Sequence, residues 1–319
     1  VTVLVLAEDS DVTVDRVVDI LNARRVPVFR CDTAWFPRRL TLDATLDQSQ
    51  WIGKLRTRHR EVALQDVRSV WYRRPTAFQF PDGMSEPERR HAFMEAKYGL
   101  GGVLASLPAL WVNHPAREAD ASYKPRQLAV ASRCGLDVPR TLVTNDADAL
   151  RAFADDVAGD VVIKPLGSMY VFEEGQIKVA HTHLLSDADL TDLAGIDVTA
   201  HLLQEWIDKA YEARLTVVGD RIYVAAIHAG SAAGRVDWRT DYDALTYRVI
   251  EAPDSVVSGV RAYMHEFGLV FGAFDFVITP EGAWRFLECN AGGQFGWIEH
   301  RTGLPISAGV ADVLQKGAG

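Results

Sequence analysis

The chain is predicted to be an α/β protein made of successive α+β units, and three stretches carry that prediction. It opens on a β-α-β unit, its middle alternates short strands and helices, and it closes on a hairpin that gathers acidic side chains. Val1 to Ala7 is a continuous apolar run, the pattern of a strand buried on both faces. Val14, Val17, Val18 and Leu21 then recur at i, i+3, i+4 and i+7, which predicts an amphipathic helix. Val26 to Cys31 is the next strand. No G-x-G-x-x-G follows the first strand, and Asp9, Asp11 and Asp15 would repel a phosphate there. The unit therefore reads as a scaffold and not as a nucleotide site.

Trp51 to Leu64 reads as a β-hairpin and Ser69 to Arg74 as a strand. That strand ends in Arg73-Arg74-Pro75, where two guanidiniums can meet a carboxylate or phosphate or simply face solvent. Pro87 to Leu107 is a helix and Ala109 to Asn113 a short strand that closes the first domain, residues 1–113. A central unit, 114–203, follows. Pro125 in Tyr123-Lys124-Pro125 sits at a favoured first-turn position of a helix. Pro139 to Val143 is a strand, Asp146 to Asp156 a helix, and Val161 to Pro165 a strand that delivers Lys164 beside a Gly167-Ser168 turn. A cation at such a place can hold phosphate oxygens, with backbone N–H groups helping. Met169 to Ala180 is a hairpin with a turn at Glu173-Glu174-Gly175, and Asp187 to Leu193 a helix. The last unit, 204–319, begins within the strand Leu202 to Ile207. Strands Leu215 to Val218 and Ile222 to His228, a helix Pro253 to Phe267, the hairpin and a closing helix Ile306 to Gln315 complete the chain.

The hairpin is the stretch from which a function can be read. Phe271 to Ile278 and Ala283 onward are β-runs joined by Thr279-Pro280-Glu281-Gly282. Simple closure sets Ile278 opposite Ala283 and Asp275 opposite Phe286. With side chains alternating, Asp275, Glu288 and Asn290 share one face and Cys289 the other. Two carboxylates and an amide oxygen are hard ligands that suit Mg²⁺. The flexible Ala291-Gly292-Gly293-Gln294 follows.

A net charge of −9 argues against general nucleic-acid binding, and the basic run Arg56 to Arg60 reads as a solvated face. Cys31, Cys134 and Cys289 are odd in number and without zinc spacing, which suits a reducing cytoplasm. The best apolar run, Leu100 to Val112, is too short to span a membrane and is broken by Pro108. No signal peptide is visible, since the chain opens on a strand. No membrane or nucleic-acid partner is expected. His228, His265 and His300 are expected to be structural.

In order, these motifs resemble the ATP-grasp superfamily from about Asn113 onward. The resemblance implies an ATP-grasp fold preceded by a β-α-β, pre-ATP-grasp-like domain. It implies ATP and one or two Mg²⁺ ions as cofactors. Lys124 and Lys164 then match the phosphate lysines, Gln204, Glu205, Trp206 and Ile207 the adenine hinge, and Glu212 the ribose carboxylate. Asp275, Glu288 and Asn290 match the metal ligands. Arg214, with Arg248 as a second candidate, would steer the substrate carboxylate or the transferring phosphoryl group.

A narrower resemblance covers nearly the whole chain. Val26-Pro27-Val28-Phe29-Arg30-Cys31-Asp32, Trp35-Phe36-Pro37, Val70-Trp71-Tyr72-Arg73-Arg74-Pro75, Trp111-Val112-Asn113-His114-Pro115 and Thr141-Leu142-Val143-Thr144-Asn145 are similar to the ATP-grasp ribosomal peptide maturases of the microviridin or graspetide type. It implies an ATP-dependent ligase, or macrocyclase, whose partner is a ribosomal precursor peptide with a leader and a core. Such an enzyme activates core Asp or Glu carboxylates as acyl phosphates and joins them to Ser, Thr or Lys side chains as ω-esters or ω-amides. The alternative is an ATP-grasp ligase that joins free amino acids or extends a protein tail. The residues name no general base, and a homodimer is one assembly they leave open.

Overall fold

The computed structural model describes residues 2–167, 170–173, 176–179, 181–231, 234 and 244–317. Ser168 of the expected phosphate turn and positions 174–175 of the expected hairpin turn lie outside these residues. The N-terminal strand Thr2–Ala7 is central in a four-stranded parallel sheet, between Val28–Cys31 on one side and Val67–Arg73 on the other, with Leu110–Val112 outermost. Being central explains its unbroken apolar sequence. The helix Val12–Ala23 is capped by Asp11, whose carboxylate accepts from the amides of Thr13 and Val14. The amides that a phosphate would need at this helix start are thus already engaged by a carboxylate.

The expected hairpin at 51–64 is present as Gln50–Arg56 paired with Glu61–Ala63. A third strand, Thr41–Asp47, joins it, for which the sequence reading had no place. Gly53 makes that pairing possible: at its φ of +148° a Cβ would stand 2.0 Å from the Asp43 carbonyl oxygen. The long helix runs Glu86–Ala105, its start fixed by reciprocal bonds between Ser85 and Glu88. A short helix, Pro115–Ala121, leads into Lys124–Arg133.

The central sheet has the order His183–Leu184, Val161–Lys164, His201–Glu205, Thr141–Thr144. The strand His201–Glu205 lies wholly within it, so a border at 203/204 cuts through a strand. Tyr170–Glu173 and Gln176–Val179 form a separate antiparallel pair.

The C-terminal sheet has five antiparallel strands: Leu245–Val249, Arg221–Ala229, Tyr211–Val218, Phe271–Ile278 and Trp284–Asn290, in that order. One face packs Phe274, Phe276, Ile278 and Phe286 against the helices Lys124–Arg133 and Asp254–Phe267. On the other face, Phe271, Ala273 and Ala225 meet the N-terminal sheet and the helices Val12–Ala23 and Ile306–Lys316. Among the described residues no helix is long and apolar enough to cross a membrane.

The two ends of the chain are tied together at Arg73. This side chain is 2% exposed and donates to the carbonyls of Gly292 (2.6 Å) and Gly293 (3.1 Å) and to the Gln294 side chain. Its Nε lies 3.5 Å from Asp11. Of the two arginines flagged in sequence, Arg73 is thus an internal brace, while Arg74 is exposed. Asn113 does parallel work, accepting from the amides of Val270 and Phe271 and donating to the carbonyls of Phe271 and Ala291. Arg73→Met should lower the free energy of unfolding by about 1.5–3 kcal/mol, the scale of a lost charged hydrogen bond. Urea titration read by tryptophan fluorescence measures this. An unchanged midpoint at unchanged slope would show that the loop holds without the brace.

Candidate active site

A cleft of about 820 Å³ opens between the central and C-terminal sheets. Every residue expected to bind ATP, metal or the substrate carboxylate lines it except Arg248. Arg248 stands opposite Ala226, and Ala226 opposite Ala213 and then Phe276. That row faces the helices, whereas Arg214 belongs to the next row, which faces the cleft. Arg248 is exposed on the far face of an edge strand, and the structure does not bring it to the site.

The row of Asp275, Glu288 and Asn290 is built differently from the expected hairpin. The turn sets Ile278 opposite Trp284 and Phe276 opposite Phe286, one residue away from simple closure. Thr279 receives the Gly282 amide and donates its own to the Ala283 carbonyl. Carried on, that register would put Asp275 opposite Leu287 and Glu288 on the wrong face. An irregularity between Asp275 and Phe276 leaves Leu287 as an extra residue, so Asp275 faces Glu288 and Ala273 faces Asn290. The bulge corrects the slip. Phe286, expected beside Asp275, is instead fully buried on the helix face, and Leu287 and Glu288 both line the cleft.

Across the sheet Arg214 is the other neighbour of Asp275. Its Nη1 donates to both carboxylate oxygens, at 2.6 and 2.7 Å, and its Nη2 donates to the Gln294 carbonyl at 3.2 Å. Both side chains of the pair are 6% exposed. Asn290 Nδ2 lies 3.3 Å from Asp275 and 3.4 Å from Glu288. A half-turn of this planar amide carries Oδ1 to the same place, so three hard oxygen donors can face one point. That set fits Mg²⁺. Among the described residues no three His, Cys, Asp or Glu side chains converge into a rival metal site.

Each lysine comes from a different element. Gln127 anchors the helix that carries Lys124: its amide accepts from the Cys289 N–H at 2.8 Å and donates to the Cys289 carbonyl at 3.0 Å. This holds Lys124 Nζ 3.3 Å from Glu288 and 2.8 Å from the Pro165 carbonyl. Lys164 Nζ donates to Gln204 at 2.8 Å, and Gln204 donates to Thr141 at 3.0 Å. Burial pushes the Lys164 ammonium down to about 8, although Glu288 and Glu212 pull it back.

At the hinge the Trp206 N–H already donates to the Asp160 carbonyl, at 2.7 Å. Trp206 can therefore offer a nucleobase its carbonyl but not its amide. The Ile207 N–H meets no hydrogen-bond partner among the described residues and remains a donor at the cleft wall. Glu205 accepts from Arg285, which also lies 3.3 Å from Asp137. Glu212 pairs with Lys209, a residue the sequence reading passed over, and Lys209 lies 5.3 Å from the Trp206 ring centroid. Arg74, Glu118 and Gln294 line the cleft as well. Of these Arg74 had a sequence signal in the double arginine at a strand end and Gln294 in the flexible stretch after the hairpin, whereas Glu118 had none. His228 packs 4.9 Å from the Tyr211 ring, and neither it, His265 nor His300 lines the cleft.

Residues 2–119 match the family model described as the MvdD pre-ATP grasp domain. The macrocyclase MdnB from Microcystis aeruginosa MRC is 32% identical, with 98% of each chain covered and a TM-score of 0.81. The chain belongs to the graspetide, or microviridin-type, family of ATP-grasp peptide maturases. It is an ATP-dependent ligase with the ATP-grasp fold behind a pre-ATP-grasp domain. Two further solved structures are similar over their length. Macrocyclase MdnC from the same organism, solved with the precursor peptide MdnA, is 29% identical (TM-score 0.88), with 99% of this chain and 100% of that one covered. A RiPP-associated ATP-grasp ligase of Chryseobacterium gregarium, in complex with ADP and a leader and core peptide, is 26% identical (TM-score 0.92), with 99% and 96% covered. A comparison with curated proteins gives no match.

Two predictions follow from the site's charges. Glu288→Gln keeps the size of the side chain and removes its charge, so turnover should vanish while the thermal midpoint changes little. Full turnover in a folded variant would remove Glu288 from the site. For Lys164 the sign runs through the ammonium: bound phosphate favours the charged form, while burial alone favours the neutral one. Nucleotide affinity should therefore fall as pH rises through about 8, approaching about tenfold per pH unit. Calorimetric titration with ADP tests this, and Lys164→Arg should flatten the profile.

Proposed function

We propose that this chain is a macrocyclase for a ribosomally made precursor peptide. It activates Asp or Glu side-chain carboxylates with ATP as acyl phosphates and closes them onto Ser or Thr hydroxyls, or Lys amines, of the same peptide. The observation that carries this reading is the convergence of Lys124, Lys164, Arg214, Asp275, Glu288 and Asn290 on one cleft. Support for a peptide as the substrate comes from the two relatives solved with a precursor or with leader and core peptides.

A carboxylate is a poor acyl donor, and transfer of a phosphoryl group from ATP gives it a leaving group. Phosphoryl transfer asks the protein chiefly for position and charge compensation. Lys124 and Lys164 would approach the phosphates from the helix Lys124–Arg133 and the strand Val161–Lys164. Asp275, Glu288 and Asn290 would hold one or two Mg²⁺ ions, which neutralise charge on the phosphate oxygens when bound. Ile207 N–H and the Trp206 carbonyl would read adenine, with Gln204 holding Lys164 in place and Glu205 fixing the hinge through Arg285. Glu212 would take the ribose. Arg214 presents one Nη to Asp275 and the other toward the Gln294 carbonyl at the cleft wall, so it can meet the acyl phosphate without leaving the sheet.

Ring closure of this kind removes one water per ring and adds no group. A precursor peptide sought among the reading frames that neighbour this gene, incubated with Mg·ATP, should lose one water per ring by mass spectrometry, and the loss should disappear in Asp275→Asn. Recovery of the water in mild base marks an ester, and resistance marks an amide. Added amino-acid residues on the peptide, or turnover with free amino acids alone, would overturn the reading.

A further inference from the structure

The site as described activates a carboxylate but contains no group to deprotonate the incoming hydroxyl. Lys124, Lys164 and Arg214 are cations, and Asp275 and Glu288 are committed to charge compensation. Three further carboxylates among the described residues line the cleft. Glu205 is paired with Arg285 and Glu212 with Lys209, which leaves Glu118 on the helix Pro115–Ala121. It packs over the loop that follows Asn290: a Cβ on Gly292 would stand 2.3 Å from its Oε1. Its Oε2 is buried and has no hydrogen-bond partner among the described residues.

The charges around it come from one neighbouring strand end. Arg73 and Arg74 act on Glu118, and Glu118 in turn acts on Tyr72. Arg73 is spent on the loop carbonyls and Asp11. Arg74 holds a backbone φ of +49°, costly for a residue with a Cβ, and its side chain stays exposed at the cleft. The loop under Glu118, residues 291–294, carries no charged side chain. Burial outweighs the two guanidiniums and pushes the Glu118 carboxyl up to about 7. A group in that range is charged often enough to accept a proton near neutrality and basic enough to keep it.

We propose that Glu118 is the general base of ring closure, a role that rests on the macrocyclase reading above. The acceptor oxygen bonds to the acyl carbon, and its proton passes to the Glu118 carboxylate. The acyl C–O bond to phosphate breaks, and its electron pair leaves with inorganic phosphate. Arg74, exposed where it lines the cleft, is a cation that the departing phosphate can meet.

Glu118→Gln separates this role from the rest. With that precursor and Mg·ATP, the variant should bind ADP as the wild type does and still form acyl phosphate, trapped as a hydroxamate by hydroxylamine. Ring closure should be slower by roughly 10²–10⁴-fold. The wild-type single-turnover rate should rise with pH to a plateau with a limb near pH 7, and that limb should be missing in Glu118→Gln. Ring closure at the wild-type rate, or the same limb in the variant, overturns the proposal. Loss of ADP binding together with acyl phosphate assigns Glu118 a structural role and also overturns it. A wild-type enzyme that leaves the precursor's mass unchanged would instead defeat the macrocyclase reading. A measurement that needs no peptide tests the titration of Glu118 independently of that reading. In ¹³C-glutamate-labelled enzyme, the carboxyl signal absent from Glu118→Gln should titrate near pH 7, and titration below pH 5 overturns the proposal.

Discussion

The buried ion pair of Arg214 and Asp275 is the constraint on which the rest of the active site depends. Both side chains are 6% exposed, and they face each other across two paired strands. A charge in such a place is tolerable only with its partner, and removing one member of a buried pair typically costs about 3–5 kcal/mol. The pair therefore fixes the register of Tyr211–Val218 against Phe271–Ile278 as firmly as the apolar residues around it do. It also hands the site a row, Arg214, Asp275, Glu288, in which a cation and two carboxylates lie side by side on one face of a rigid sheet. A site on paired strands keeps its geometry better than one on loops.

Keeping that row in order requires help from sequence-distant parts. The bulge at Leu287 returns Glu288 to the cleft face after the turn has shifted the pairing. Gln127 reads both backbone groups of Cys289 and so ties the lysine helix to the ligand strand. Arg73 and Asn113, both from the N-terminal part, hold the backbone that follows Asn290. The pre-ATP-grasp domain, in this view, is more than a neighbour: its buried arginine shapes the loop that follows Asn290 and, through Gly292, the seat of Glu118.

Much of this was legible in the sequence. Alternation placed Asp275, Glu288 and Asn290 on one face, because a period of two survives in any strand. The strand register was not legible, since neither the turn's offset nor the extra residue at Leu287 has a composition signature, and the two errors cancelled for the ligands while misplacing Phe286. Arg248 looked equivalent to Arg214 because strand parity at an edge strand needs the pairing partners to be known. The two arginines at the end of Val67–Arg73 looked alike, yet one is buried against a loop more than 200 residues away and the other faces the cleft. Glu118 carried no signal at all, for its environment is made by segments far apart in the chain.

The central claim is that Asp275, Glu288 and Asn290 form the metal seat of the nucleotide site. Anomalous scattering from crystals grown with Mn²⁺ and ADP tests it most directly. The account predicts a manganese peak between the Asp275 and Glu288 carboxylates, within direct coordination distance of their oxygens, with Asn290 turned to present Oδ1. A peak elsewhere in the cleft, with the Arg214–Asp275 and Lys124–Glu288 pairs undisturbed and no metal–oxygen contact to either carboxylate, would contradict it.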